Sequence, residues 1–236
     1  MRNPFSEFAS FEQQTERKIP LDDILSAHQD VLGRMTEGFK QLVKDEAGDG
    51  LWQPDGDSIV RVYGEASEIV SSFPYTIGDI EAFTLGAIGS EDPDFYLMGP
   101  LGLYLSALCN NTEVRSVTFN LGGQDIRLPL LGYRMTEGQT LKVEGHLGDL
   151  AGISMEGGEL EVTGNVGRYL GAGMIDGLIR VSGDAGRFIG EQMVGGEIHV
   201  KGRFGGVGKP MGGRVFHRKQ MVFEGEKGSQ KAKGKS

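Results

Sequence analysis

The sequence predicts a mainly β fold, a single-stranded parallel β-helix with an N-terminal helical segment. Three observations lead there. Glycine makes up 39 of the 236 residues, against a typical share of about 7%, and 24 of the 39 fall in residues 131–225. Those glycines recur at an interval of about 19 residues. The segments between them alternate aliphatic and charged residues, as strands with one buried face do. Proline numbers only 8 and there is no Gly-X-Y period, so neither a low-complexity linker nor a collagen helix accounts for the glycine.

The elements follow in order. Residues 1–19 are polar and aperiodic and read as a flexible arm. A helix is expected over 20–50. Leu21, Ile24, Leu25, Val31, Leu32, Met35, Phe39, Leu42 and Val43 form one apolar stripe, Asp22 and Asp23 sit in the first turn, and Gly48 and Gly50 act as stops. His28 lies on that stripe and reads as a packed or partly exposed side chain. Residues 51–130 read as irregular, degenerate β coils. Their strand signals are the alternating run Ser58–Tyr63, the strand-turn run Phe95–Tyr104 and the segment Val114–Asn120.

From Leu131 the repeat is explicit. Gly145, Gly164, Gly183 and Gly202 form one column, and Gly148, Gly167, Gly186 and Gly205 a second. Gly132, Gly152, Gly171, Gly190 and Gly208 form a third, each followed three residues later by Met135, Met155, Met174, Met193 or Met211. Gly138, Gly158, Gly177, Gly196 and Gly213 form a fourth. Leu141, Leu160, Ile179 and Ile198 stack as an inward column, as do Val143, Val162, Val181 and Val200. A unit this short suits neither a propeller blade nor a helical-pair repeat. One coil per unit, rising about 4.8 Å, satisfies every column. Glycine is expected at the corners, where φ turns positive. His146, Asn165, Asp184 and Arg203 follow the first column and read as turn residues, with Leu147, Val166, Ala185 and Phe204 pointing inward. The methionines read as core. Lys142, Glu161, Arg180 and His199 read as an outward ladder. Residues 226–236, with Lys227, Lys231, Lys233 and Lys235, read as a basic disordered tail.

Several function classes are disfavoured. A net charge of −9 argues against nucleic acid as a partner. The single cysteine, Cys109, permits no internal disulfide and no Cys-rich metal site, and its apolar surroundings suit a core residue. No apolar run approaches a membrane span, and the N-terminus lacks a signal-peptide core, so a cytoplasmic protein without membrane contact is expected. Gly171-Ala-Gly173-Met-Ile-Asp-Gly177 imitates a dinucleotide fingerprint with the wrong third spacing. Asp176, Asp184, Glu191, Arg168 and Arg187 are the residues a carbohydrate-cleaving β-helix enzyme would use, but no acid–base pair emerges from them. No catalytic, cofactor-binding or metal residue is assigned.

The run Gly164-Asn-Val-Gly167-Arg-Tyr-Leu-Gly171-Ala-Gly173-Met-Ile-Asp-Gly177-Leu-Ile-Arg-Val-Ser-Gly183-Asp-Ala-Gly186 resembles the GXGXG repeat domain. That domain forms the C-terminal β-helix of glutamate synthase large subunits and stands alone as one of the subunits of formylmethanofuran dehydrogenase. Gly212-Gly213-Arg-Val-Phe-His217-Arg is more similar to the latter. The resemblance covers 131–225. It implies a right-handed coil that is largely non-catalytic and buttresses other subunits. Those subunits, not this chain, would carry molybdenum or tungsten, iron–sulfur or flavin groups. The leading expectation is therefore a scaffold subunit of a cytoplasmic oxidoreductase complex in one-carbon metabolism, most like the GXGXG subunit of formylmethanofuran dehydrogenase. Alternatives are a GXGXG subunit of a glutamate synthase or N-methylglutamate synthase-type complex, a stand-alone β-helix hydrolase or lyase on carbohydrates or esters, and a homo-oligomeric module joined through open coil ends. The 20–46 helix is expected to cover one such end.

Overall fold

The computed structural model describes residues 21–47, 54–90, 100–112, 115–122 and 126–225. The arm at 1–19, the stops Gly48 and Gly50, the tail at 226–236 and the 95–99 part of one strand signal lie outside the described residues.

The repeat folds as a parallel β-helix. Its strands are β1 (Ser116–Asn120), β2 (Arg127–Leu128), β3 (Thr140–Glu144), β4 (His146–Leu147), β5 (Glu156–Val162), β6 (Asp176–Val181), β7 (Glu197–Val200), β8 (Arg214–His217) and β9 (Gln220–Glu224). One sheet runs β1-β3-β5-β6-β7-β8-β9. Its pairs are parallel until β9 folds back antiparallel on β8. The expected columns are the observed register. Leu141 lies beside Leu160, then Ile179, Ile198 and Val215, and Val143 beside Val162, Val181 and Val200. All of these side chains are buried. A second, shorter face pairs β2 with β4 and continues as single bridges from Val166 to Ala185 to Phe204. The first coil, from Ser116 to Leu128, stacks in register on the next without the ladder glycines, so the coiled part begins before Leu131.

The glycine columns have two causes. At Gly177 φ is +106°, a corner that side chains rarely adopt. Gly186 has no such angle. A Cβ there would lie 2.6 Å from the Gly167 carbonyl oxygen of the coil below, so the close approach of stacked corners excludes a side chain. Positive φ therefore acts in some columns only, while coil-to-coil contact acts in the others and also at Gly177, where a Cβ would lie 2.7 Å from the Gly157 carbonyl oxygen. Met135, Met155, Met174 and Met193 are core, as expected. Met211 departs: it is 67% exposed. The Met211 amide bonds the Met193 carbonyl, as the Val194 amide bonds that of Met174. Met211 thus stands one position along, in the outward column of Ile175 and Val194.

The N-terminal part is helical further than expected. Helices α1 (Leu21–Ala47), α2 (Gly56–Ser71), α3 (Ile77–Ile88) and α4 (Leu101–Asn110) precede the coils. The strand expected at Ser58–Tyr63 is a correction, because it lies inside α2. Asp55 and Ser58 form a reciprocal capping box, each bond 2.8 Å. Ile59, Val62, Ala66 and Val70 then bury one face at helical spacing. Thr76 and Asp79 cap α3 in the same way. The strand-turn expected at Phe95–Tyr104 is likewise corrected over its described part: Leu101–Tyr104 opens α4. Every residue from Leu101 to Cys109 is buried. A helix apolar on all sides shows no amphipathic period, which is why it reads as strand.

The apolar stripe of α1 is real at Met35, Phe39 and Leu42, but Leu25 is exposed. This helix does not itself cover the coil end. It packs on α2 and α3, and α4 and α3 do the covering. The Ser106 hydroxyl accepts from the amides of Gly132 and Tyr133 at 3.0 and 3.2 Å, and donates to the Gly102 carbonyl at 2.7 Å. Asn110 donates to the Tyr133 carbonyl at 3.0 Å. Glu81 of α3 accepts from the Thr118 amide of the edge strand β1 at 3.3 Å. A sheet edge is a row of unpaired backbone groups, and these side chains occupy that row. The rings of Phe39, Phe83 and Tyr104 then join α1, α3 and α4, with Tyr104 donating to the Met35 carbonyl at 3.0 Å.

Candidate functional site

Two features could carry function: the polar corners of the coils and a groove along their flank. At the corner after the first glycine column, each side chain accepts from the backbone of the next coil. The Asn165 amide donates to His146 Nδ1, the Asp184 amide to Asn165 Oδ1 and the Arg203 amide to Asp184 Oδ1, all at 2.8 Å. Neutral His146 thus carries its proton on Nε2. The Arg203 guanidinium closes the row on Asp184 Oδ2 at 2.7 and 3.0 Å and holds the Asp184 carboxyl below its ordinary range. Asp149 and Glu191 do the same for the amides of Arg168 and Lys209, at 2.7 and 2.9 Å. The residue types expected for turns are therefore also fasteners between coils.

The groove, about 720 Å³, is floored by Gly138, Gly158, Gly177, Gly196 and Gly213. Gln139, Glu159, Asp176, Glu197, Arg214 and Glu224 stand along it. The volume falls in the range of ligand sites. Its carboxylates are mostly engaged. Arg180 pairs with Glu159 and lies 3.7 Å from Glu161. Glu197 pairs with Arg214 and with His199 Nε2 at 2.9 Å. The His199 hydrogen bond, with the Arg214 charge behind it, holds the Glu197 carboxyl below its ordinary range against the opposing effect of burial. Asp176 accepts from the Gly177 amide at 2.7 Å.

The five residues a carbohydrate enzyme would use are not brought together. Asp176 is in the groove; Asp184 and Glu191 fasten coils. Arg168 lies 3.9 Å from Asp149, and Arg187 is exposed. The outward ladder Lys142, Glu161, Arg180 and His199 is in register as expected. His199 stacks flat on Phe216, with ring centroids 4.4 Å apart. His28 is a half-exposed partner of Asp79, bonded at 2.6 Å. Burial pushes the Cys109 thiol up to about 12, so it is no nucleophile at neutral pH. Among the described residues no group of three or more His, Cys, Asp or Glu is placed to hold a metal ion, and no helix is long and apolar enough to cross a membrane.

No family model matches this chain, and no curated protein and no solved structure matches it. The fold and the residues themselves therefore carry the functional reading.

Proposed function

We propose that this chain is a scaffold subunit without a catalytic site of its own, working in a cytoplasmic oxidoreductase complex of the formylmethanofuran dehydrogenase kind. One observation carries the reading. The polar side chains of the coil corners are committed to fastening one coil to the next. A stack fastened along these corners is a stiff body with a regular surface, which suits holding other subunits at fixed separations. The sequence resemblance over 131–225 agrees with this and implies that partner subunits hold the redox groups. The same resemblance admits a glutamate synthase-type assembly.

The carbohydrate or ester enzyme reading has the groove in its favour. Its general acid would need a raised pKa, and Glu197 is shifted the other way. Co-purification from the native cell, with identification of what travels along, separates the two. The scaffold reading expects redox subunits in stable stoichiometry. Turnover of a substrate, or tight flavin or metal binding, by the purified chain alone would overturn it.

A further inference from the structure

A cleft of about 340 Å³ at the C-terminal end of the stack stands apart from the groove. Arg180, His199, Lys201, Phe216, Arg218 and Lys219 line it, and no carboxylate does. That is unexpected in a chain of net charge −9. Arg180 is held by Glu159 and Glu161. Lys201, Arg218 and Lys219 are exposed and have no ion-pair partner among the described residues. The field of Arg218 reaches Asp184, but Arg203 occupies that carboxylate.

Local rules are broken here twice over. The Arg218 amide bonds the Val200 carbonyl at 2.9 Å, which sets Lys201 and Arg218 side by side on neighbouring rungs. Like charges so placed repel. The β8–β9 hairpin turns on Arg218 and Lys219 alone, at φ +50° and +68°. Such a turn favours Asn-Gly, and two long cationic side chains in the left-handed region are strained there. Seven other non-glycine residues, from Leu130 to Gln192, also have positive φ, so the angle alone does not single out this place; two cations in one turn beside a third on the neighbouring rung do. The floor between the cations is apolar and aromatic, made of Val181, Val200 and Phe216, which stacks on His199; Met221 and Val222 are exposed on β9 outside the cleft's lining.

We propose that this cleft docks an acidic segment of a partner protein, one with aromatic or large apolar residues between its carboxylates. The choice of a protein partner rests on the scaffold reading and on charge: the −9 chain repels a long polyanion away from this small basic rim. Side chains, not strand addition, hold the segment. The register of β9 against β8 shifts between Val215 and Phe216 and leaves Val222 as a bulge, and bulges blunt an edge strand against further pairing.

The test uses the full chain and fluorescence anisotropy with a labelled peptide of repeating Glu-Asp-Phe units. Parallel arms use a Lys-Phe peptide, inorganic phosphate as competitor and a single-stranded oligonucleotide of equal charge. The acidic peptide binds, more weakly at high salt. The triple variant Lys201→Glu, Arg218→Glu, Lys219→Glu loses about tenfold or more in affinity, the scale of losing close charge pairs at an interface. Lys40→Glu, exposed on α1 at the other end of the stack, changes little. The double variant Arg218→Asn, Lys219→Gly guards against misfolding, since it relaxes the turn while removing two cations: it binds more weakly yet melts higher. Equal peptide affinity in wild type and triple variant overturns the proposal, as does no binding at all. Oligonucleotide binding of equal strength and equal dependence reassigns the cleft to nucleic acid, and displacement by phosphate reduces it to a simple anion site. Co-purification separates this failure from that of the scaffold reading. A triple variant that still holds the wild-type partners removes the docking site and leaves the scaffold. A wild-type chain that works alone removes the scaffold, whatever the peptide does.

Discussion

Arg218 and Lys219 show how much a single backbone angle can say. Replacing both by Asn-Gly puts a residue that tolerates the left-handed region and one with no side chain where two long ones stand, and the penalty there is about 1–2 kcal/mol per residue. A gain of about 1 kcal/mol or more in urea unfolding is expected, and a loss of stability would mean the turn is not strained. Asn165 points the other way. Its Oδ1 takes the Asp184 amide, so Asn165→Ala leaves that amide unbonded and costs about 1–3 kcal/mol, while Asn165→Asp, which keeps the acceptor, costs less. Cys109 offers a quick check of packing. With its thiol pushed up to about 12, it should resist alkylation at neutral pH until denaturant is added. The corner residues were legible in the sequence as turn formers, from Asn165 and Asp184. Their bonds to the next coil were not legible, because that partner is 19 residues away and adjacent only after stacking.

The helices and the coils were unequally legible. Coil positions repeat, so every column was tested several times over, and the aliphatic register emerged as observed. The helices α2 and α4 each occur once. In α2 the alternating run Ser58–Tyr63 suggested a strand, and the signal that would have corrected it was the pair Asp55 and Ser58 three residues apart. In α3 the matching pair is Thr76 and Asp79, and Asp79 also bonds His28. Burial acts to raise the Asp79 carboxyl, but the hydrogen bonds from His28 and Thr76 outweigh it and hold it below its ordinary value. A carboxyl depressed on folding stabilises the native state fully above its unfolded pKa of about 3.9. That contribution disappears as pH falls through the native value. Melting temperature should therefore drop on acidification below about pH 4, and Asp79→Asn should flatten that drop. For the coils, Gly186→Ala would set a Cβ 2.6 Å from the Gly167 carbonyl oxygen. It should cost about 1–3 kcal/mol as overpacking does, whereas Gly33→Ala in the interior of α1, where a Cβ meets nothing, should gain about 0.5–1 kcal/mol.

At the scale of the molecule, one hydrophobic core runs from Met35 in α1 to Val215 in β8. The helices are thus not a separate appendage. They complete the first coil as each later coil completes its neighbour. Ser106 is the joint, because it serves the amides of both Gly132 and Tyr133. Ser106→Ala should destabilise by about 1–3 kcal/mol and raise hydrogen exchange at those two amides before the rest of the stack. No change there would show that α4 is held by apolar packing alone. In repeat structures each unit contacts its neighbours only, so the effect should fade toward β8.

The two ends of the stack differ in kind. One is closed by helices and the other by a hairpin that turns back, while the middle is built of interchangeable units. Length is therefore a separate variable from both termini. Duplicating residues 164–182, one full unit, would move the hairpin away from the helices by about 4.8 Å without altering either. A molecule made this way is a ruler whose markings can be added by simple gene duplication, and any partner that grips both ends sets how many are kept.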